Sequence, residues 1–373
     1  MGKMKCTVLI PTYNRPNQLK RLLSYYHQYG NGLPVLIADS SSEVNKKLNR
    51  ETVASFQSTS FLYFDKYDPS TNFYQKMLDV LQQVSTEYCV ICADDDFVTP
   101  SGIQEAVAFL DINPDFTIAH GHYLGFQLVI GLGGKPKFYW FQWYRYKSIT
   151  HLEPKDRLSY FLSNPSVSST TYAVWHTNFK KMVFAEVIRS TSDYWFAESL
   201  HDLLVFIYGK MKYLDVLYSG RDSMSGHTVP GSILDFIKDG SYKKKYLKFS
   251  NCLANHLSKQ SKISLAESQK IVDTAVSACM EKRYPYRTDK IITTGIVMSR
   301  INQKVYQLNL PNRLASPSRR LYHRYKYLFR SPPENEYDFP SKTIDIPPSK
   351  YYHDFNQIRS QVLSSAREKQ LME

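Results

Sequence analysis

Four runs in the first hundred residues are apolar nearly from end to end: "CTVLIP", "PVLIAD", "SFLYFD" and "EYCVICADD". A strand that is apolar on both faces must be covered on both faces, and helices between successive strands supply that cover. The intervening segments have the helical period. "PNQLKRLLSYYHQYG" places Leu19, Leu22, Leu23 and Tyr26 on one face, and "SSEVNKKLNRETVASF" and "TNFYQKMLDVLQQVS" follow the second and third strands. This alternation predicts an α/β fold with a mostly parallel, Rossmann-like sheet flanked by helices. Ligands of such sheets bind at the carboxyl edge of the strands. The polar clusters Thr12 to Arg15, Asp39 to Ser42 and Asp94 to Asp96 all fall at that edge, so they are expected to converge.

Charge divides the chain. From Phe236 to Glu373 there are 25 Lys/Arg against 12 Asp/Glu, so the whole net charge of +13 lies in the back half and residues 1–235 are neutral. We therefore expect a front domain over 1–235 and a basic, mainly helical region over 236–373 facing an anionic partner. No apolar run approaches the roughly 18 residues that span a bilayer, and "MGKMKCTVLIP" is too short for a signal peptide. Cys6 stands where a myristoylation signal needs Ser or Thr. Five cysteines without framework spacing fit a reducing compartment, so the expected location is the cytoplasm, with association at the inner membrane face. The "CVIC" pair has no partner pair at ligand spacing and reads as part of a buried strand.

The stretch "VICADDDFVTP" drives an apolar strand into three consecutive carboxylates, which repel one another unless a cation compensates them. In an extended triplet the first and third side chains point the same way, making Asp94 and Asp96 the natural pair for a divalent metal, with Asp95 turned elsewhere. Capping of the helix that begins near Ser101 is the structural alternative.

"VLIPTYNRPNQLKRLL", "PVLIADSSS" and "VICADDDFVTPSGI", in this order and at these spacings, resemble the nucleotide-sugar domain of the GT-A glycosyltransferases, especially glycosyltransferase family 2. The resemblance is close over residues 5–110 and looser over 165–230. It implies a GT-A fold with nucleotide-sugar binding in 1–110 and the acceptor and catalytic half in 111–235, a nucleotide-sugar donor (a UDP-sugar first among them), and Mn²⁺ or Mg²⁺ held at the DxD positions Asp94 and Asp96. It also implies that Pro11, Thr12, Tyr13, Asn14, Arg15 and Asp39 hold the nucleobase end of the donor. The chemistry is apt: a carboxylate accepts from a base imide, Tyr13 can cover a ring face, and Arg15 can pair with phosphate. "ADSSS" lacks the second acidic residue and Gly common in the family, and Asp39 also reads as a plain turn residue. Asp95 is placed with the donor. Lys76 can reach the diphosphate, although a single helix lysine ordinarily lies on a solvated face.

The resemblance further implies an acidic base about a hundred residues beyond the DxD. "FAESLHDLLVFIYGK" offers Glu198 and Asp202, four apart on one helical face, with Asp202 at the family's usual place and His201 where an acid is usual. In the polar "YSGRDSMSGHTVPG", Arg221 is expected to meet the diphosphate and His227 to complete the metal shell. The aromatic hairpin around Trp140, Trp143 and Tyr144 suits a sugar acceptor, a glycan or lipid-linked one. His120 and His122 share a strand face and read as structural.

Toward the carboxyl end, "SLAESQKIVDTAVSACMEKRYP" reads as an amphipathic helix for domain packing or an oligomer contact. Arg313, Arg319, Arg320, Arg324, Lys326 and Arg330 stand among aromatics, which favours an anionic membrane surface over nucleic acid. Residues 331–350 are Pro-rich, and "DFNQIRSQVLSSAREKQLME" closes the chain as a helix. Two functions of different class fit: a metal-dependent inverting glycosyltransferase, and a non-catalytic sugar-nucleotide or glycan-binding protein. A nucleotidyltransferase is disfavoured by the lack of a Gly-rich phosphate loop.

Overall fold

The computed structural model describes residues 4–130, 135–144, 147–164, 170–222, 240–283 and 349–372; of 129–130, 141–144, 280–283, 349 and 369–372 it describes the backbone alone. Met1–Cys279 and Thr343–Glu373 form one compact unit and Met280–Lys342 a second.

The first unit is built on one sheet of nine strands among the described residues. β1 (Cys6–Thr12), β2 (Val35–Asp39), β3 (Phe61–Phe64) and β4 (Tyr88–Ile91) are the four apolar runs. They pair in parallel in the spatial order β3-β2-β1-β4, with Val8 opposite Val35 and Thr12 opposite Asp39. Beyond β4 the sheet becomes mixed. β5 (Phe97–Val98), β6 (Phe116–Ile130), β7 (Pro136–Tyr144), β8 (Val174–His176) and β9 (Lys210–Asp222) complete the order β4-β8-β6-β9-β5, with β7 as a hairpin partner of β6. β8, β5 and β7 run antiparallel to their neighbours, while β6 and β9 are parallel to each other.

Both faces of the parallel strands are covered, as the apolar runs require. Leu9, Leu36 and Ile91 face one core, packed by α3 (Phe73–Leu81), α6 (Thr177–Ser190), α7 (Tyr194–Tyr208), α8 (Tyr242–Ser261) and α9 (Leu265–Arg283). Val8, Ile10, Val35, Ile37 and Val90 face the other, packed by α1 (Pro16–Tyr29), α4 (Pro100–Ile112) and α10 (Tyr352–Met372). Successive side chains of a strand point to opposite faces, so a run with no polar member fills both cores at once. Each such aliphatic side chain, fully removed from water, contributes about 1.5–3 kcal/mol. The helices α2 (Glu43–Ser55) and α5 (Pro154–Ser163) complete the described α elements.

Helix starts follow local chemistry. Pro16 opens α1, Asn72 caps α3 by accepting from the Tyr74 and Gln75 amides, and Thr99 caps α4 by accepting from Gly102 N at 3.1 Å. The cap of α4 is thus Thr99, and the three aspartates before it do a different job. The final helix α10 returns to the front of the chain. Its Phe355 and Ile358 are buried in the second core, and Phe355 meets the Trp140 ring edge-on at 5.3 Å. Among the described residues no helix is long and apolar enough to cross a membrane.

β6 and β9 approach each other closely at Gly121. A Cβ on Gly121 would lie 2.6 Å from Val216 O and 2.8 Å from its Cγ2. Gly121→Ala is expected to cost about 1–3 kcal/mol of unfolding free energy, the usual price of overpacking. An unchanged urea midpoint would show that the two strands separate more easily than this packing implies.

Candidate active site

The site lies where β1, β2, β4 and β9 end. β1 runs into Thr12–Arg15, and Asn14 adopts φ 54°, a left-handed turn that Asn tolerates. That turn locks onto the loop after β2: Asn14 N donates to Ser41 Oγ at 2.8 Å, and Asn14 Oδ1 accepts from Ser42 N at 2.9 Å. Two of the three expected polar clusters are thereby joined, and the Asp triplet makes the third.

The triplet itself is a turn and not an extended segment, because Asp96 N donates back to Ala93 O at 3.1 Å. The alternation expected of a strand therefore does not apply. Asp94 and Asp95, not Asp94 and Asp96, share a partner: Arg15 Nη1 donates to Asp94 at 3.3 Å and to Asp95 at 2.5 Å, while Thr12 Oγ1 donates to Asp94 at 2.7 Å. Asp96 points to the β9 side, accepting from Tyr172 OH at 2.8 Å, Arg221 Nε at 3.2 Å and Asp222 N at 2.9 Å. All three aspartates are 3% exposed. Burial, with the Asp95 charge beside it, pushes the Asp94 carboxyl up to about 7. Burial also raises Asp96, against the opposing pull of Arg221.

A third arginine, which the sequence reading passed over, closes the cluster. Arg21 is buried on α1, donates to Asp95 O at 2.6 Å and to Asp222 at 3.3 Å, and stacks over Phe97 and Phe126. Its helical neighbours Leu19, Leu22 and Leu23 are core residues, so only the basic residue between them on an apolar helix face could have signalled it.

Lys76 is inside the protein, not on a solvated helix face. Its Nζ donates to Ser40 Oγ at 2.8 Å, with Thr12 O at 3.4 Å, and burial lowers it to about 8 despite the Asp39 and Asp94 charges. The spacing of the apolar residues in α3 puts position 76 on the sheet side, and the carboxylates there receive it. Asp39 is fully buried and supplied from within: Ser41 N at 2.7 Å, Asn49 Nδ2 at 2.7 Å and Tyr63 OH at 2.5 Å. Those bonds match its turn-residue reading. Tyr13 is about half exposed beside them, and Pro11 is partly buried at the end of β1.

The expected bases lie on α7, whose start Asp193 caps by accepting from Phe196 N at 2.9 Å. Asp202 accepts from Thr170 N at 3.2 Å, Thr170 Oγ1 at 2.8 Å and His201 Nδ1 at 3.2 Å. Tyr194 and Tyr74 face both acids; burial first and the Glu198 and Asp202 charges after it lift Tyr194 to about 12. Thr170 and Tyr172, also missed in the sequence, belong to one short 3-10 segment, Thr170–Tyr172. Through Thr170 it holds Asp202, and through Tyr172 it holds Asp96. Trp175 Nε1 anchors it by donating to Thr170 O at 3.0 Å, and Lys180, wholly buried, donates to Thr171 O at 3.2 Å.

Arg221 and Asp222 end strand β9, and the Arg221 guanidinium also stacks on Tyr172 at 4.5 Å. His227, the basic cluster at 313–330 and the side chains of Trp143 and Tyr144 lie outside the described residues.

Hard carboxylate oxygens suit Mg²⁺ or Mn²⁺, and such ions need only one or two protein carboxylates when substrate phosphates supply further oxygens. The carboxylates of Asp94 and Asp96, one on each side of the turn, are oxygen donors of that kind, so the donor chemistry fits.

The site is thus a buried acidic cluster at the carboxyl edge of an α/β sheet. Residues 7–161 match the family described as "Glycosyl transferase family 2". No curated protein matches the chain. Among solved structures, S. aureus TarS 1-349 is 13% identical, covering 75% of this chain and 72% of that one at a TM-score of 0.47. Its complex with UDP-GlcNAc is 14% identical over 74% and 73% at 0.46. The mannosyltransferase PcManGT from Pyrobaculum calidifontis, in complex with GDP-Man and Mn²⁺, is 11% identical over 98% and 87% at 0.39.

Two outcomes test this geometry. Tyr172→Phe leaves a buried Asp96 oxygen short of a donor and is expected to cost about 1–3 kcal/mol of stability by chemical denaturation, more than an exposed Tyr→Phe change would. Lys180 is lowered by burial to about 8 from the ordinary 10.5. Between those values the unfolded chain binds more protons than the folded one, so stability contributed at this position rises with pH. Relative to Lys180→Met, the parent should therefore gain stability as pH rises from about 8, read by paired denaturation curves; a difference constant with pH would contradict the burial of the charge.

Proposed function

We propose that the chain is a metal-dependent inverting glycosyltransferase, moving a sugar from a nucleotide-sugar donor, with UDP-sugars the first choice, to a glycan or lipid-linked acceptor in surface polysaccharide synthesis. The observation that carries this reading is the joining of two acidic groups by Thr170–Tyr172: the buried triplet Asp94–Asp96 at the strand edge, and Asp202 on α7. Donor activation and acceptor deprotonation need two such groups, held at fixed positions to each other.

In this reading the loops around Tyr13, Asn14, Arg15 and Asp39 hold the nucleoside, with the half-exposed Tyr13 covering the base. Lys76, Arg15 and Arg221 supply positive charge for the diphosphate. Asp94 and Asp96, with His227 as a further ligand, would hold Mn²⁺ or Mg²⁺, which when bound offsets charge on the leaving diphosphate, and Asp95 would face the donor. The acceptor hydroxyl attacks the anomeric carbon from the face opposite the leaving group. Its proton passes to the Asp202 carboxylate, the new glycosidic bond forms, and the nucleoside diphosphate departs with the bonding electrons. Thr170 and His201 orient Asp202, and Glu198, one helical turn earlier, is the reserve base. The basic residues between 313 and 330 would draw the protein to an anionic membrane surface on the cytoplasmic side.

A panel of UDP-, GDP-, dTDP- and CMP-sugars with Mn²⁺ or Mg²⁺, read as released nucleotide, tests the reading. The parent should turn over one donor class, and chelation or Asp96→Asn should remove that turnover. Asp202→Asn should lower kcat by about 10²–10⁴ while donor affinity stays within a few-fold. If Asp202→Asn is silent and Glu198→Gln is not, the base is Glu198. If donors bind without turnover in every condition, the domain binds sugar nucleotides and does not transfer.

A further inference from the structure

A second cluster of ligand atoms lies away from the strand edge, where α6, α7 and α8 meet. Glu186 comes from the last turn of α6, and Cys252 and His256 from α8, in the sequence "CLANH". The i,i+4 spacing places thiol and imidazole on one helical face. Cys252 Sγ is 3.0 Å from Glu186 Oε1, His256 Nε2 is 3.5 Å from the same oxygen, and one ligand atom from each residue falls within 4.8 Å of the others. Around zinc, with Zn–S about 2.3 Å and Zn–N or Zn–O about 2.0–2.1 Å, tetrahedral ligand edges measure about 3.3–3.5 Å. The Cys252 and His256 distances to Glu186 Oε1 bracket that range.

Its surroundings are those of a ligand set as well. His256 Nδ1 is 2.7 Å from Tyr208 OH at the end of α7, and when that nitrogen carries the proton, Nε2 presents its lone pair toward Glu186 and Cys252. Ser190 Oγ reaches Glu186 Oε1 at 2.9 Å and Cys252 Sγ at 3.3 Å. The Glu186 and His256 side chains are 11% and 12% exposed, sheltered but open to an ion from solvent. Arg189 pairs with Glu186 from a side chain that is 76% exposed, so it can leave Oε1 to a cation without breaking any packing.

We propose that Glu186, Cys252 and His256 bind one thiophilic divalent cation of the zinc class, clasping α8 to α6 and α7. Two anionic ligands and one neutral one would balance the ion's charge, a water fills the fourth position, and the Cys252 proton is released to solvent on binding. Mg²⁺ and Mn²⁺, which prefer oxygen, are not its ions. The site is independent of the donor site and of the reading given to it.

The test uses the full-length reduced chain, stripped by a chelator and titrated with Zn²⁺, with Cys252 alkylation followed by peptide mapping. Stoichiometric Zn²⁺ should slow Cys252 labelling at least tenfold, with one ion per chain by elemental analysis, while Mg²⁺ and Mn²⁺ leave labelling unchanged. Tyr208→Phe should weaken zinc about 10-fold without removing a ligand, and Cys252→Ser should abolish stoichiometric binding. Should Cys252→Ser fail to fold, the parent labelling and Tyr208→Phe still decide. The proposal is overturned if Zn²⁺ leaves Cys252 as reactive as before, if zinc is retained while Cys252 stays reactive, or if Mn²⁺ protects it equally.

Discussion

Three adjacent carboxylates taken out of water are the constraint around which the front of this protein is arranged. Each buried anion costs several kcal/mol unless it is paired and hydrogen-bonded. The partners come from far along the chain: Thr12 and Arg15 after the first strand, Arg21 on the first helix, Tyr172 before the eighth strand, and Arg221 with the Asp222 amide at the end of the ninth. None of these can satisfy the triplet until the strands carrying them have paired. Forming the site and forming the sheet are in this sense one event.

The turn at Ala93–Asp96 gives the cluster two sides. Asp94 and Asp95 face the loops that follow β1, where Arg15, Lys76 and the exposed Tyr13 also lie. Asp96 faces β9 and the Thr170–Tyr172 segment. That segment is fixed from below by Trp175 and by Lys180, whose pKa burial lowers to about 8. A rigid support of this kind suits a reaction in which a donor and an acceptor must keep their relative position.

Much of the front half was legible because it rests on local rules. Continuous apolar runs separated by amphipathic helices can only be a covered, mostly parallel sheet, and the four runs are β1 to β4 in the expected order. The meeting of the three polar clusters followed from the same rule. The conformation of the Asp triplet was not legible, because a turn and a short extended segment of three identical residues look alike in sequence and the Asp96-to-Ala93 bond decides between them. Thr99, not an aspartate, caps α4, since its hydroxyl is the group at the right place relative to Gly102. The burial of Lys76 was not legible, because it depends on Ser40 and Thr12 on other elements. The Cys252 and His256 pair was passed over because its third member, Glu186, is more than sixty residues away on another helix.

The sequence by itself determined that the chain forms an α/β sheet, where its strands end, and that acidic groups stand at those ends, because periodicity and burial act over a few neighbouring residues. Only the tertiary structure decided which arginine faces which aspartate, that Thr170–Tyr172 links Asp96 to Asp202, and that a lysine lies within the site. Those outcomes depend on charge pairing between elements tens to more than a hundred residues apart, and the free energy of a buried charge is set by what surrounds it in space.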